Sequence, residues 1–194
     1  PVRTSRKGSS VRLFTEFFEA VPWFLPGILV WTPAAFLLTP TVAQALRTHR
    51  LVVFTMLLSF GGVVLAALTP TSVALSGTVT QAEWCDLGRL AFPPLAELVT
   101  VHDTLRNVLL FVPLGFTLGL LARTRSAAAL VVLAYALPFA IEGLQLAFPA
   151  MGRGCQSADL IDNAIGLTVG LVAGGLLRSA AGWWSRRTHR TAAS

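Results

Sequence analysis

Charge is what this chain has least of. Asp, Glu, Lys and Arg make up 12% of its residues, where a soluble domain carries about a quarter. So little charge does not cover a solvated globule. Apolar residues at 54% and a mean hydropathy of +0.69 point instead to a polytopic membrane protein embedded in the lipid bilayer. The 194 residues hold one compact helical bundle and no separate soluble domain. Cysteine is also scarce. Cys85 and Cys155 fit no metal-ligand spacing, so neither a metal nor a cofactor is expected. Acidic residues number nine against fifteen basic ones. The surplus does not indicate nucleic acid, because no basic stripe with interleaved aromatics is present. The basic residues cluster beside apolar runs, as membrane anchors do.

What is present is a succession of apolar runs. Residues 1–20 open as a basic arm with Arg3, Arg6, Lys7 and Arg12. They end in VRLFTEFFEA, where Leu13, Phe14, Phe17 and Phe18 fall near one helical face. That suits a short helix in the membrane interface, or the first turns of the next span. Residues 21–49 are a hydrophobic segment with Pro22, Pro26 and Pro33, then Pro40 and a connector carrying Arg47 and His49. Prolines kink membrane helices, so the segment reads as one kinked span or a re-entrant turn. Residues 51–69 form an uncharged second span. A long polar connection follows, 70–102, holding Trp84, Cys85, Asp86 and Arg89. The third span runs over about 104–122, the fourth over 127–148 with Pro138 inside, and the fifth over 161–177. Residues 179–194 make a basic tail. The expected fold is an all-α transmembrane bundle of about five spans, a four-span domain at 50–178 behind the proline-kinked N-terminal segment.

Arg47 with Arg50, Arg123 with Arg125, and the C-terminal arginines fall on one side when spans two to five each cross once. The positive-inside rule makes that side cytoplasmic. Loops 70–104 and 149–160 are then extracytoplasmic, as are both cysteines. An oxidising compartment permits a disulfide between them. Two free thiols fit equally well, since the Cα separation decides. A single crossing by the N-terminal segment would leave the basic arm outside, against the rule, whereas a re-entrant turn would bring it back.

The polar residues gather at one level. Asp103, Arg106 and Asn107 open the third span, Glu142 and Gln145 lie near the outer end of the fourth, and Asp159, Asp162 and Asn163 open the fifth. Arg153 sits in the loop between the last two groups. Spacings of three and four put the members of each group on one helix face. Carboxylates and amides facing lipid cost several kcal/mol each, so these groups should face one another. Glu142 is deepest, about 9 Å from its span end at 1.5 Å per residue, and must be protonated or paired there. Below this layer, Gly166, Gly170 and Gly174, with Gly115 and Gly119, form G-x-x-x-G faces for close helix packing.

The order Asn107…Phe111-Val-Pro113-Leu-Gly115-Phe116, Ile141-Glu142-x-x-Gln145, Arg153, Asp159-Leu-x-x-Asn163-x-x-Gly166-x-x-x-Gly170 resembles the VanZ-like family of bacterial membrane proteins. The resemblance covers about residues 50–178. It implies a multi-pass protein of the bacterial cell membrane and envelope, in a family whose founding member is associated with resistance to the glycopeptide teicoplanin. It carries no catalytic assignment.

Two functions compete. One is a site that binds or modifies an envelope lipid or lipid-linked saccharide. Glu142 would be the general acid or base, Arg153 and Arg106 the anion ligands, and Asn107, Gln145 and Asn163 the orienting amides. Arg153, between Gly152 and Gly154, would act as a clamp on a mobile loop. The other is a non-enzymatic scaffold or accessory subunit with a membrane-protein partner, in which the same residues clasp the helices. The number of groups favours a site: four carboxylates, two arginines and three amides at one level exceed what a clasp needs. Whether the protein is an enzyme is left open. A divalent cation on Glu142, Asp159 and Asp162 is disfavoured by the competing arginines, and Ser157 has no histidine at a recognisable spacing.

Overall fold

A computed structural model describes residues 17–77, 84–94 and 102–191, with side chains to Trp184 except that of His102. The basic arm and most of the expected interfacial helix therefore lie outside the described residues, as does the His102 side chain. The elements are α1 (Phe24–Leu46), α2 (Arg50–Leu68), the short α3 (Ser72–Leu75), α4 (His102–Leu120), α5 (Arg125–Ala147), a 3-10 turn (Pro149–Met151) and α6 (Ser157–Thr191). Four of them, α1, α2, α5 and the first 28 residues of α6, are long and apolar enough to cross a membrane. At 19 residues, α4 matches α2 in length, but Asp103, Arg106 and Asn107 dilute its opening turns.

The N-terminal segment is one continuous helix, not a re-entrant turn. It runs on through Pro33 and Pro40, so the connector expected after Pro40 shrinks to three residues, Arg47–His49. Local hydroxyls help hold it in an apolar setting: Thr32 and Thr39 donate to the carbonyls of Ile28 and Ala35 at 2.7 Å. Arg47 ends it in the left-handed region, and His49 Nδ1 then accepts the Leu51 N–H at 3.2 Å to start α2. Trp31 Nε1 donates to the Leu57 carbonyl at 2.8 Å across the side-chain-free surface of Gly61. That contact docks α1 on α2, its main neighbour in the bundle.

The central feature is the pairing of α4 with α6. A β-carbon on Gly166, Gly170 or Gly174 would collide with the carbonyl of Val108, Val112 or Phe116. One on Gly115 or Gly119 would collide with the carbonyl of Leu167 or Leu171. Both series rise together along the chain, so the two helices run parallel, backbone against backbone. Phe111 and Leu167 are fully buried beside this seam, and Val53, Val63 and Ile141 extend the core to α2 and α5. Leu29, Val30, Phe36, Leu37, Val132 and Leu176 remain exposed, as residues facing acyl chains would be.

Arg178 donates to the Leu121 carbonyl, and Gln145 to the Ala67 carbonyl. These contacts place Arg47, Arg50, Arg123, Arg125 and Arg178 at one end of the bundle. The disulfide-bearing segments and the starts of α4 and α6 lie at the other. The helix that holds the expected fifth span, α6, continues past residue 177 to Thr191, through the stretch read as a basic tail. Apolar counting ends where charge begins, but backbone hydrogen bonding does not depend on lipid.

Candidate functional site

The site is assembled at the end opposite the arginine-rich one. Glu142 and Gln145 lie on the last turns of α5, at 4% and 6% exposure. Asp162 and Asn163, in the opening turns of α6, are 1% and 5% exposed, and Asp159 is half-buried. Asn107 Nδ2 donates to Asp159 Oδ1 at 2.6 Å, closing α4 onto α6. Glu142 Oε2 accepts the Gln156 backbone N–H at 2.7 Å. Glu142, Arg153, Asp162, Asp103 and Arg89 all stand within electrostatic range of Asp159. Three helices and two loops thus meet around that carboxylate.

Two of these side chains also finish α2. The last carbonyls of a helix have no partner within it. Gln145 Nε2 donates to the Ala67 carbonyl at 3.0 Å, and Arg153 Nε to the Thr69 carbonyl at 3.2 Å. Arg153 does not ride on a loose loop. Its segment is tied by the Thr71 N–H to the Met151 carbonyl at 3.1 Å and by the Asp86 N–H to the Cys155 carbonyl at 2.8 Å. Gly152 makes the turn at φ 69°, where a side chain would strike Thr71 and Ala74. Burial pulls the Arg153 guanidinium below its ordinary pKa, and Asp159 opposes that shift. It stays cationic.

Cys85 and Cys155 are joined, with Cα atoms 4.6 Å apart. Beside the bond, the Ser157 N–H donates to the Asp86 carbonyl at 2.9 Å, so the 84–94 segment covers the first turn of α6. This strap delivers a residue that sequence reasoning did not assign to the site. Arg89 Nη2 meets Asp162 Oδ2 at 2.6 Å, and the Arg89 carbonyl accepts from Ser157 Oγ at 2.8 Å. Arg89 lies four residues after Cys85, so a pairing of the cysteines would have carried it to α6. Asp103 and Arg106, by contrast, pair with each other at 3.3 Å, with Asp103 largely exposed. They form the rim, not the buried layer.

Three buried acceptors in this layer have no hydrogen-bond partner among the described residues: Gln145 Oε1, Asp162 Oδ1 and Asn163 Oδ1. Among the described residues no three His, Cys, Asp or Glu side chains are grouped to hold a metal. A pocket lined by Pro40, Gln44, Thr48 and Arg50 belongs to the arginine-rich end, away from the cluster.

A family model, VanZ/LLP1, matches residues 24–178. The match takes in α1, whereas the resemblance read from the sequence begins near residue 50. No curated protein and no solved structure matches the chain.

Proposed function

The chain belongs to the VanZ/LLP1 family, and we propose that this membrane protein binds or modifies an envelope lipid or lipid-linked saccharide entering from the outer leaflet. In this reading the arginine-rich end is cytoplasmic, by the positive-inside rule. The disulfide and the Asp159 layer then face outward, with five helices crossing. The observation that carries the proposal is the set of unpartnered buried acceptors: among the described residues Gln145, Asp162 and Asn163 each keep an oxygen without a donor. A structural clasp would be selected to close such gaps, because each buried orphan costs about 1–3 kcal/mol. Asp159 and Arg153, both half-buried, supply a reachable carboxylate and a cation next to them.

One observation favours the clasp instead. Glu142, Gln145 and Arg153 all engage backbone groups of neighbouring segments. The two readings separate when Glu142→Gln, Arg153→Ala and Asp159→Asn are made singly. Folded yield in detergent and teicoplanin susceptibility are then measured in a host whose resistance depends on this protein. Normal yield with lost resistance is expected. Yield and resistance falling in step across all three would establish the clasp.

A further inference from the structure

The acceptors in the buried layer also say which chemical group belongs there. Gln145 cannot be turned to offer its nitrogen, because Nε2 already donates to the Ala67 carbonyl. Reversal would set two oxygens against each other. Asp162 gives one oxygen to Arg89 and keeps the other, which in the ionised form can only accept. Asn163 is four residues from Asp159 and Gln145 three from Glu142, so the orphan oxygens share helix faces with the two central carboxylates. Asp103 and Asp162 take Arg106 and Arg89 as ion-pair partners. Within the buried layer three carboxylates, Glu142, Asp159 and Asp162, face two guanidiniums, Arg89 and Arg153. Among the described residues the inner layer thus holds three unpartnered acceptors and one carboxylate more than it has guanidiniums.

We propose that it receives a primary ammonium group, carried by a lipid whose phosphate lies towards Arg153. This rests on the lipid-site reading and narrows it. Such a group brings three N–H donors and a compensating charge together. A quaternary ammonium brings the charge and no donor, and a phosphodiester brings neither.

The test uses the full chain in nanodiscs or detergent. Four phospholipids with identical acyl chains are offered in competition: phosphatidylethanolamine, its N-methyl and N,N-dimethyl forms, and phosphatidylcholine. Charge is constant along this series while the donors fall from three to none. Retained lipid is counted by native mass spectrometry. The expected order follows the donor number, with phosphatidylethanolamine preferred over phosphatidylcholine by about tenfold or more. Gln145→Met and Asn163→Leu should flatten the order. If either variant fails to fold, the series on the unaltered protein still decides. Equal retention of all four lipids overturns the ammonium assignment. If Arg153→Ala then lowers all four together, the lipid site survives and only its specificity is wrong. If no lipid is retained by the unaltered protein, both readings fall. Free phosphoethanolamine raising the melting temperature as much as the lipid does would uphold the ammonium chemistry and assign it to a soluble ligand.

Discussion

Arg89 and Asp162 meet at 2.6 Å across 73 residues of chain, the carboxylate sealed at 1% exposure and the guanidinium a quarter exposed. Removing one partner of such a pair strands a buried charge and costs about 3–5 kcal/mol. Arg89 is partly solvated, so Arg89→Ala should fall near the lower end, about 3 kcal/mol, read as a reduced thermal midpoint in detergent. Adding Asp162→Asn should recover part of the loss. A double variant no more stable than Arg89→Ala would contradict the pairing.

The Cys85–Cys155 bond closes a loop across 70 positions. A loop of that size is stabilised by about 4 kcal/mol. Reduction, or the Cys85→Ser and Cys155→Ser double change, should therefore lower the melting temperature. It should also expose the 84–94 segment to protease before the helices unfold. A native sample that takes up two alkylating groups without reductant would contradict the bond.

The glycines of the α4–α6 seam should be far less tolerant than Gly62, Gly143 or Gly175, where a β-carbon meets nothing within 4 Å. A β-carbon at Gly170 meets the Val112 carbonyl and sits 2.6 Å from the Phe116 amide nitrogen, and neither backbone atom can rotate away. Gly170→Ala is expected to cost about 3 kcal/mol, seen as lost folded yield. Gly175 has nothing within 4 Å of the corresponding position. Gly175→Ala should be neutral or stabilising by up to about 1 kcal/mol. Equal effects at the two positions would rule out the parallel contact.

Orientation can be read with the native cysteines masked in their disulfide. A thiol introduced by Leu90→Cys, on the strap, should react with an impermeant maleimide in intact cells. One introduced by Ser126→Cys, at the start of α5, should react only after permeabilisation. The reverse pattern would invert the topology.

The apolar runs locate α2, α4 and α5 within two residues of their observed ends, because Pro or Arg closes each run and α2 and α5 are long and apolar enough to cross. Two boundaries elude that reading: α1 runs on past Pro40 to Leu46, and α6 runs on past residue 177 to Thr191. The site was legible where it is periodic: Asn107, Glu142, Gln145, Asp159 and Asn163 sit at helical spacings. Arg89 was not, since it lies in a connection with no period and is brought to Asp162 by a strap joined to α6 through distant cysteines and backbone hydrogen bonds. Asp103 and Arg106 satisfy the same spacing rule yet answer each other, because one open turn of α4 lets them pair in solvent.

Where α4 and α6 touch, the teeth of the contact are peptide carbonyls, and the gaps they fill are missing side chains. Such a gear cannot slip by a fraction of a tooth. Any working motion of this protein therefore has to come from parts that do not mesh there.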